Sequence, residues 1–255
     1  MEAIILAGGL GTRLKSVVSD VPKCMAPIQG IPFIHFIIAY LQQQGVQHFI
    51  FALGYKSEIV IEYVSKYYPN LHANFVVEKT ALGTGGAILL AAQYAQNKDV
   101  LILNGDTLFN INLSDLFTTH LQSNAHFSVA LKPMQHFERY GAVTLNANNS
   151  LQAFNEKQYC TNGLINAGVY ILNIPTFLGL QWPLQFSFEK AYMEKYIGLH
   201  TMMGMAFNNY FIDIGIPTDY EQFATDYEHA LAQIKNKPIT QPLTIIDEAI
   251  FNFLN

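Results

Sequence analysis

Near the start of the chain, Leu6-Ala7-Gly8-Gly9-Leu10-Gly11-Thr12-Arg13-Leu14 brings three glycines together with an arginine, and Lys23 follows within Pro22-Lys23-Cys24-Met25-Ala26-Pro27. Glycines let backbone N–H groups approach a ligand with no side chain in the way, and they allow positive φ values that aim several N–H groups at one point. Arg13 and Lys23 add full positive charge to that concavity, and the combination suits a polyphosphate. Two acids stand where they could meet it. Asp106, in Asn104-Gly105-Asp106-Thr107, lies one step past an apolar run, and Asp213, in Phe211-Ile212-Asp213-Ile214-Gly215-Ile216-Pro217, closes another. A pair of carboxylates converging on a phosphate suits Mg²⁺, a hard ion that prefers oxygen and shares its shell with phosphates.

The glycine loop fails two better-known phosphate patterns. A Walker loop needs Gly-Lys-Ser/Thr after four spacers, and here Gly11 is followed by Thr12-Arg13. A dinucleotide fingerprint needs a third small residue where Leu14 stands, and an acid closing the second strand, where Phe51-Ala52-Leu53-Gly54 has none. Hydride transfer is therefore poorly supported. A second glycine cluster, Glu78-Lys79-Thr80-Ala81-Leu82-Gly83-Thr84-Gly85-Gly86-Ala87, lies between a strand and a helix, where exposed backbone groups can read the edge of a base. Tyr140-Gly141, Glu156-Lys157, Asn166-Ala167-Gly168 and Glu189 fall at predicted strand ends or a helix start. Carboxylates and amides of this kind suit sugar hydroxyls, and a lysine suits a sugar phosphate.

The elements that must position these residues alternate. Ala3–Leu6 reads as a buried parallel strand ended by glycine. Ile34, Ile37, Ile38 and Leu41 recur at helical spacing, with Gly45 as the stop. His48–Leu53 is a strand, Ser57–Tyr67 a helix, Phe75–Val77 a short strand, Thr84–Ala95 a helix and Val100–Leu103 a strand that delivers Asp106. This alternation predicts an α/β fold with a doubly wound, Rossmann-like sheet. Past Leu113 the texture becomes more β-rich. A helix over Ser114–Gln122 precedes strands at Phe127–Leu131, Ala142–Leu145, Leu151–Phe154 and Leu164–Leu172. A helix over Ser187–Tyr196, short strands near Thr201–Ala206 and Phe211–Ile214, and a helix from Pro217 to Ile234 follow. The reading is one domain over 1–234, with a nucleotide-binding half (1–112) and a β-rich half (113–234) continuing the same mixed sheet. Residues 235–255 form a tail, with Lys235–Leu243 as a Pro-bearing tether and the amphipathic Ile245–Leu254 packing back on the domain, a contact between copies in a homo-oligomer being the alternative.

Composition narrows the class further. The chain has 255 residues, 51 % of them hydrophobic, enough for a sizeable core, and only 13 % charged. A formal charge of −5 argues against non-specific nucleic-acid binding and confines any anion site to a local pocket. Cys24 and Cys160 lie too far apart in sequence to imply a disulfide framework. Glu2 stands where a signal peptide is basic, and no window approaches the ~20 apolar residues of a membrane span. A cytoplasmic protein without membrane contact is expected. The eight histidines show no metal-ligand spacing.

With these residues in view, the two-part stretch from Leu6 to Leu14 and Pro22-Lys23 resembles the signature of the sugar-phosphate nucleotidyltransferases, and the likeness extends to about Phe223. These enzymes join a nucleoside triphosphate to a sugar 1-phosphate and release pyrophosphate. The resemblance implies that the backbone of Leu6, Ala7, Gly8, Gly9, Gly11 and Thr12 lines the nucleotide, that Arg13 holds its β- and γ-phosphates, and that Lys23 reaches the α-phosphate. It implies a base loop around Glu78, Leu82, Gly83 and Thr84, with Asn104 and Gly105 also at the nucleotide. It makes Asp106 and Asp213 the Mg²⁺ pair, with Arg13, Lys23 and Asp106 as the catalytic groups. By the same likeness Glu156, Asn166 and Glu189 bind sugar hydroxyls, Lys157 the sugar phosphate, and the Gly141 N–H a ring substituent, with Tyr140 also on the sugar-phosphate side. Two departures stand out: Cys24 and Gln158 replace prolines frequent in the family. The Leu-Gly-Thr-Gly-Gly form of the base loop looks most like the guanylyl-transferring members, which implies GTP and D-glycero-α-D-manno-heptose 1-phosphate as substrates and a role in bacterial surface polysaccharide. The alternatives are mannose 1-phosphate with GTP, a hexose or N-acetylmuramate 1-phosphate with UTP, and a catalytically silent subunit that binds sugar nucleotides.

Overall fold

A computed structural model of the chain describes residues 1–9, 14, 18, 20–155 and 157–235, with 230–235 described by backbone alone. Arg13, Gly11, Thr12, Glu156 and the tail 236–255 lie outside the described residues. The first half contains β1 (Glu2–Ala7), a small hairpin of β2 (Pro27–Ile28) and β3 (Ile31–Pro32), α1 (Phe33–Gln43), β4 (His48–Leu53), α2 (Ser57–Tyr67), β5 (His72–Val77), α3 (Gly83–Ala91), β6 (Asp99–Asn104) and β7 (Thr107–Phe109). The second contains α4 (Leu113–Gln122), β8 (Phe127–Phe137), β9 (Ala142–Leu145), β10 (Leu151–Asn155), β11 (Cys160–Asn173), α5 (Ile174–Leu178), a π-helical turn over Glu189–Glu194, β12 (Met202–Ala206), β13 (Phe211–Asp213) and α6 (Pro217–Lys235).

Among the described residues, nine strands form one mixed sheet. β5, β4, β1 and β6 lie side by side in parallel, as four apolar runs alternating with helices require. β11 pairs antiparallel with β6 and with β8, and β12 runs parallel to β8. Alternate side chains go to opposite faces. Ala3, Ile5, Phe49 and Phe51 join the core beneath α1, α2, α4 and α6, whereas Ile4, Ile50 and Ala52 join the core that holds Ile88 of α3, Phe177 of α5 and Tyr192 of the π-helical turn. All six residues of β4 are buried, as expected of a central strand covered on both sides.

Several elements depart from the sequence expectation. β8 runs straight through Pro133 to Phe137, because Pro133 sits exposed on the outer part of the strand, where it opposes Leu164. β11 is longer than its apolar run at both ends. α5 was unforeseen, although Asn173 caps it, its side chain accepting from the Thr176 N–H at 3.1 Å, with Pro175 in the first turn. The helix expected over Ser187–Tyr196 adopts π geometry across Glu189–Glu194, a wider turn often found at functional sites. The short β7 was also missed, and it matters most for the site. No helix among the described residues is long and apolar enough to cross a membrane.

Candidate active site

The carboxyl ends of the parallel strands share one edge of the sheet, where open α/β sheets bind ligands. Two features carry the key acids there. β6 ends at Asn104, and after Gly105-Asp106 the chain turns into β7. β7 pairs antiparallel with β13 in a register that sets Thr107 opposite Asp213, and the Ile214 N–H donates to the Asp106 carbonyl at 3.0 Å. A small two-stranded ladder thus brings together acids more than a hundred positions apart. Lys23, in a single 3₁₀ turn, places its ammonium between them. Its Nζ donates to Asp106 Oδ2 and, at 3.2 Å, to Asp213 Oδ1. Asp213 Oδ1 also accepts the Gly215 N–H at 2.8 Å. Burial, and then the neighbouring charge of Asp106, hold the Asp213 pKa above the ordinary aspartate value, with Lys23 offsetting only part of this. Burial opposes the Lys23 charge, but the two aspartates outweigh it and its pKa lies above that of an ordinary lysine. Burial pushes the adjacent Cys24 thiol up to about 12, leaving no thiolate at neutral pH.

Above this triad opens a cleft of about 550 Å³. Its described wall includes eleven sequence-predicted residues: Lys23, Gly83, Thr84, Asn104, Asp106, Tyr140, Gly141, Lys157, Asn166, Glu189 and Asp213. Other predicted residues support it from behind. Ala7 and Leu82 are buried, and Leu6 is engaged through its carbonyl, which accepts the Gly105 N–H at 2.9 Å. Gly8 and Gly9 precede the undescribed part of the loop and do not line the described wall. Glu78 takes the Leu82 N–H on Oε2 at 3.1 Å and lies against the backbone of Gly8 and Gly54, where a Cβ on Gly54 would come within 2.8 Å of Oε1. It braces the base loop against the first loop. Burial raises its pKa, and the Leu82 bond only partly opposes this.

The base loop is built differently from the expectation of open glycines. Residues 184–188 form a strap laid across the start of α3. The Gly85 N–H donates to the Phe186 carbonyl at 3.0 Å, and the Phe186 N–H to the Leu82 carbonyl at 2.9 Å. A Cβ on Gly85 would enter the Phe186 ring, and one on Gly86 would lie 2.7 Å from the Leu184 carbonyl oxygen. These two glycines therefore admit the strap, while Gly83 and Thr84 remain on the cleft wall. The strap ends in a polar knot. The Thr84 and Ser187 hydroxyls both donate to Glu189 Oε2, at 2.8 and 2.7 Å, and the Phe188 N–H donates to Thr84 Oγ1 at 2.9 Å. Glu189 is thereby held as an oriented carboxylate facing the cleft.

On the opposite wall, β11 breaks its ladder with β8 between Asn166 and Tyr170. On its other edge it pairs with β9 before this break and with β6 after it. The irregularity turns Asn166 toward the cleft, as β-bulges do beside active sites. The Gly168 N–H donates to Asn166 Oδ1 at 3.0 Å, and the Asn166 N–H to the Gly141 carbonyl at 2.9 Å. Gly168 has φ +71°, and a Cβ there would strike the Asn104 side chain. Sequence reasoning missed Arg139, Gln185, Phe186 and Ser187, all on the cleft wall. Arg139 stood next to a predicted residue and Ser187 two before one, so proximity was the available signal.

Residues 2–230 match the family model described as nucleotidyl transferase, and the chain belongs to that family. It is 44 % identical over 229 residues to D-glycero-alpha-D-manno-heptose 1-phosphate guanylyltransferase of Aneurinibacillus thermoaerophilus, covering 90 % of this chain and 99 % of the relative. The enzyme of the same description from Campylobacter jejuni is 42 % identical, over 88 % of this chain and 98 % of its own. Among solved structures, HddC from Yersinia pseudotuberculosis complexed with GMP-PN superposes with a TM-score of 0.80 at 35 % identity, covering 89 % of this chain and 99 % of that one.

Proposed function

We propose that the protein joins GTP to D-glycero-α-D-manno-heptose 1-phosphate, giving a GDP-heptose and pyrophosphate. The observation that carries this reading is Lys23 held between Asp106 and Asp213 on the floor of a cleft whose walls are a glycine-rich base loop on one side and Asn166, Gly141 and Lys157 on the other. The likeness to two heptose 1-phosphate guanylyltransferases along nearly their whole lengths supports the choice of sugar and base.

The attacking phosphate is already anionic and needs no general base, so the protein's task is to align two anions and offset their repulsion. Lys23 meets the α-phosphate, where its charge is preorganised by the two aspartates. Arg13, outside the described residues, would offset the charge of the departing pyrophosphate. Lys157 receives the sugar phosphate, and Asn166, Glu156 and Glu189 fix the sugar through its hydroxyls. The donor set fits a divalent cation: Asp106 and Asp213 are hard oxygen ligands already converging on one positive charge, and burial, then the neighbouring Asp106 charge, raise the Asp213 pKa. Mg²⁺ is commonly held by one or two carboxylates, which Asp106 and Asp213 would supply. When bound at Asp106 and Asp213, Mg²⁺ supplies charge neutralisation of the reacting phosphates. Supply of GTP places the reaction in the cytoplasm, and the product suits surface-polysaccharide assembly.

The test is a grid of nucleoside triphosphates against sugar 1-phosphates, scored by pyrophosphate release. GTP with the heptose 1-phosphate should give the highest kcat/KM. Preference for mannose 1-phosphate, or for UTP, would reassign the substrate. Tight nucleotide binding without turnover in any combination would reveal a silent subunit.

A further inference from the structure

Arg139 lies on the cleft wall in the turn between β8 and β9, and the reaction as described gives it no role. Its Nη2 donates to Asp219 Oδ2 at 2.7 Å, with the two side chains only 34 % and 23 % exposed. Asp219 is in the first turn of α6, six positions after Asp213, and does not itself line the cleft. The guanidinium stands 5.3 Å from the Tyr140 ring centroid, and the Tyr140 ring meets Phe211 of β13 edge-on at 5.7 Å. The Gly141 carbonyl, next in the chain, accepts the Asn166 N–H. One ion pair therefore ties the turn carrying Tyr140 and Gly141 to the segment carrying Asp213. Burial opposes the Arg139 charge, yet Asp219 and the field of Asp213 hold its pKa above the ordinary arginine value.

We propose that Arg139 is a positioning residue: with Asp219 it clamps the sugar-facing turn 139–141 against the β13–α6 segment, so that the sugar wall and the Asp213 carboxylate stay in register. The clamp rests on the assignment of Tyr140 and Gly141 to the sugar. A partly buried, charge-assisted pair holds more firmly than an exposed one, and its loss loosens the turn without emptying the nucleotide side.

The decisive variant is Asp219→Asn, because Asp219 pairs with Arg139 and is off the cleft wall. KM for the sugar 1-phosphate should rise roughly fivefold, the effect of losing about 1 kcal/mol of pairing, while KM for GTP stays within twofold. Arg139→Gln should do the same and Arg139→Lys should recover part of the loss. The double variant should be no worse than the poorer single one, as expected of partners in one interaction. Amide exchange of residues 138–143 should quicken in Asp219→Asn, read by mass spectrometry without any substrate. Equal rises in both KM values with a lowered melting temperature would overturn the clamp in favour of a general folding role, and so would an unchanged sugar KM with unchanged exchange. If the wild-type enzyme turned over no substrate pair, the functional reading would fall; faster exchange at 138–143 would then still support the clamp, and unchanged exchange would overturn it.

Discussion

In the proposed reaction Lys23, Asp106 and Asp213 concentrate the chemistry into three charges within one contact set. Removing one charge aimed at a reacting phosphate costs about 3–4 kcal/mol of barrier, by analogy with single oxyanion-hole donors. Lys23→Ala should thus lower kcat by about 10²–10³. It also leaves two close carboxylates without their shared cation, so the variant should melt earlier than wild type unless Mg²⁺ is added. Asp106→Asn removes a charge while keeping shape and the side-chain oxygen. It should leave the circular dichroism spectrum unchanged and abolish nearly all pyrophosphate release; release at the wild-type rate under saturating Mg²⁺ would remove Asp106 from the metal pair. Both residues could be picked from the sequence, Asp106 as the acid that follows a strand and a glycine, Lys23 as the cation after Pro22 that completes the glycine-loop motif. Arg139 stood beside a predicted residue, but no local motif marked it or its partner Asp219, eighty positions away.

At the scale of elements, the strap 184–188 sets the form of the base loop. Gly85 is small because Phe186 lies on it, and Phe186 in turn stacks on Trp182 with ring centroids 4.8 Å apart. Gly85→Ala would overpack this contact and should cost about 1–3 kcal/mol. The expected result is a lower melting temperature with a raised KM for GTP, and part of both effects should be recovered by Phe186→Leu, which removes the edge of the ring. A wild-type melting curve for Gly85→Ala would mean that the strap does not rest on α3 in solution. The sequence showed a glycine cluster at a helix start, a pattern shared by ligand loops and by tight packing. Only the crossing of a distant segment distinguishes them.

For the molecule as a whole, the candidate site and the buried polar groups that stabilise the fold occupy opposite ends of the same strands. At the amino end of β1 the buried Glu2 carboxylate stands 2.6 Å from His48 Nδ1 and accepts the N–H groups of Gln96 and Asn97 at 3.0 and 2.5 Å. At the start of β6, Asp99 accepts from the Asn173 side chain at 2.6 Å and faces His120, whose other ring nitrogen meets Ser128. These residue types could mimic a hydrolase relay, but His120 and Ser128 are each 1 % exposed, so no substrate reaches them. Both groups resist acid. Burial raises the Glu2 pKa, but its bonds to His48, Asn97 and Gln96 outweigh this and bring it below the ordinary 4.5. Glu2 therefore contributes stability above pH 4.5 that is lost as pH falls through the folded value. Burial lowers the His120 pKa below 6.5, so its contribution is complete above that pH and declines as pH falls through its own folded value. Unfolding free energies from urea titrations should drop in two stages on acidification. Glu2→Gln should lose roughly 1–3 kcal/mol at pH 7 and flatten the stage below pH 4.5; an unaltered acid limb would exclude Glu2 as its source.

By itself the sequence determined the α/β class, the order of most elements and the residues bearing charge at the sheet's carboxyl edge. Those properties follow from local periodicity and from what terminates each run, and they need no knowledge of distant partners. The tertiary structure alone decided that β7 pairs with β13 to join Asp106 to Asp213, that a strap covers Gly85 and Gly86, that β11 breaks at Asn166, and that Arg139 reaches Asp219. Each of these depends on contacts between residues far apart in the chain, whose geometry is set by the packing of the whole sheet and leaves no periodic trace in either segment.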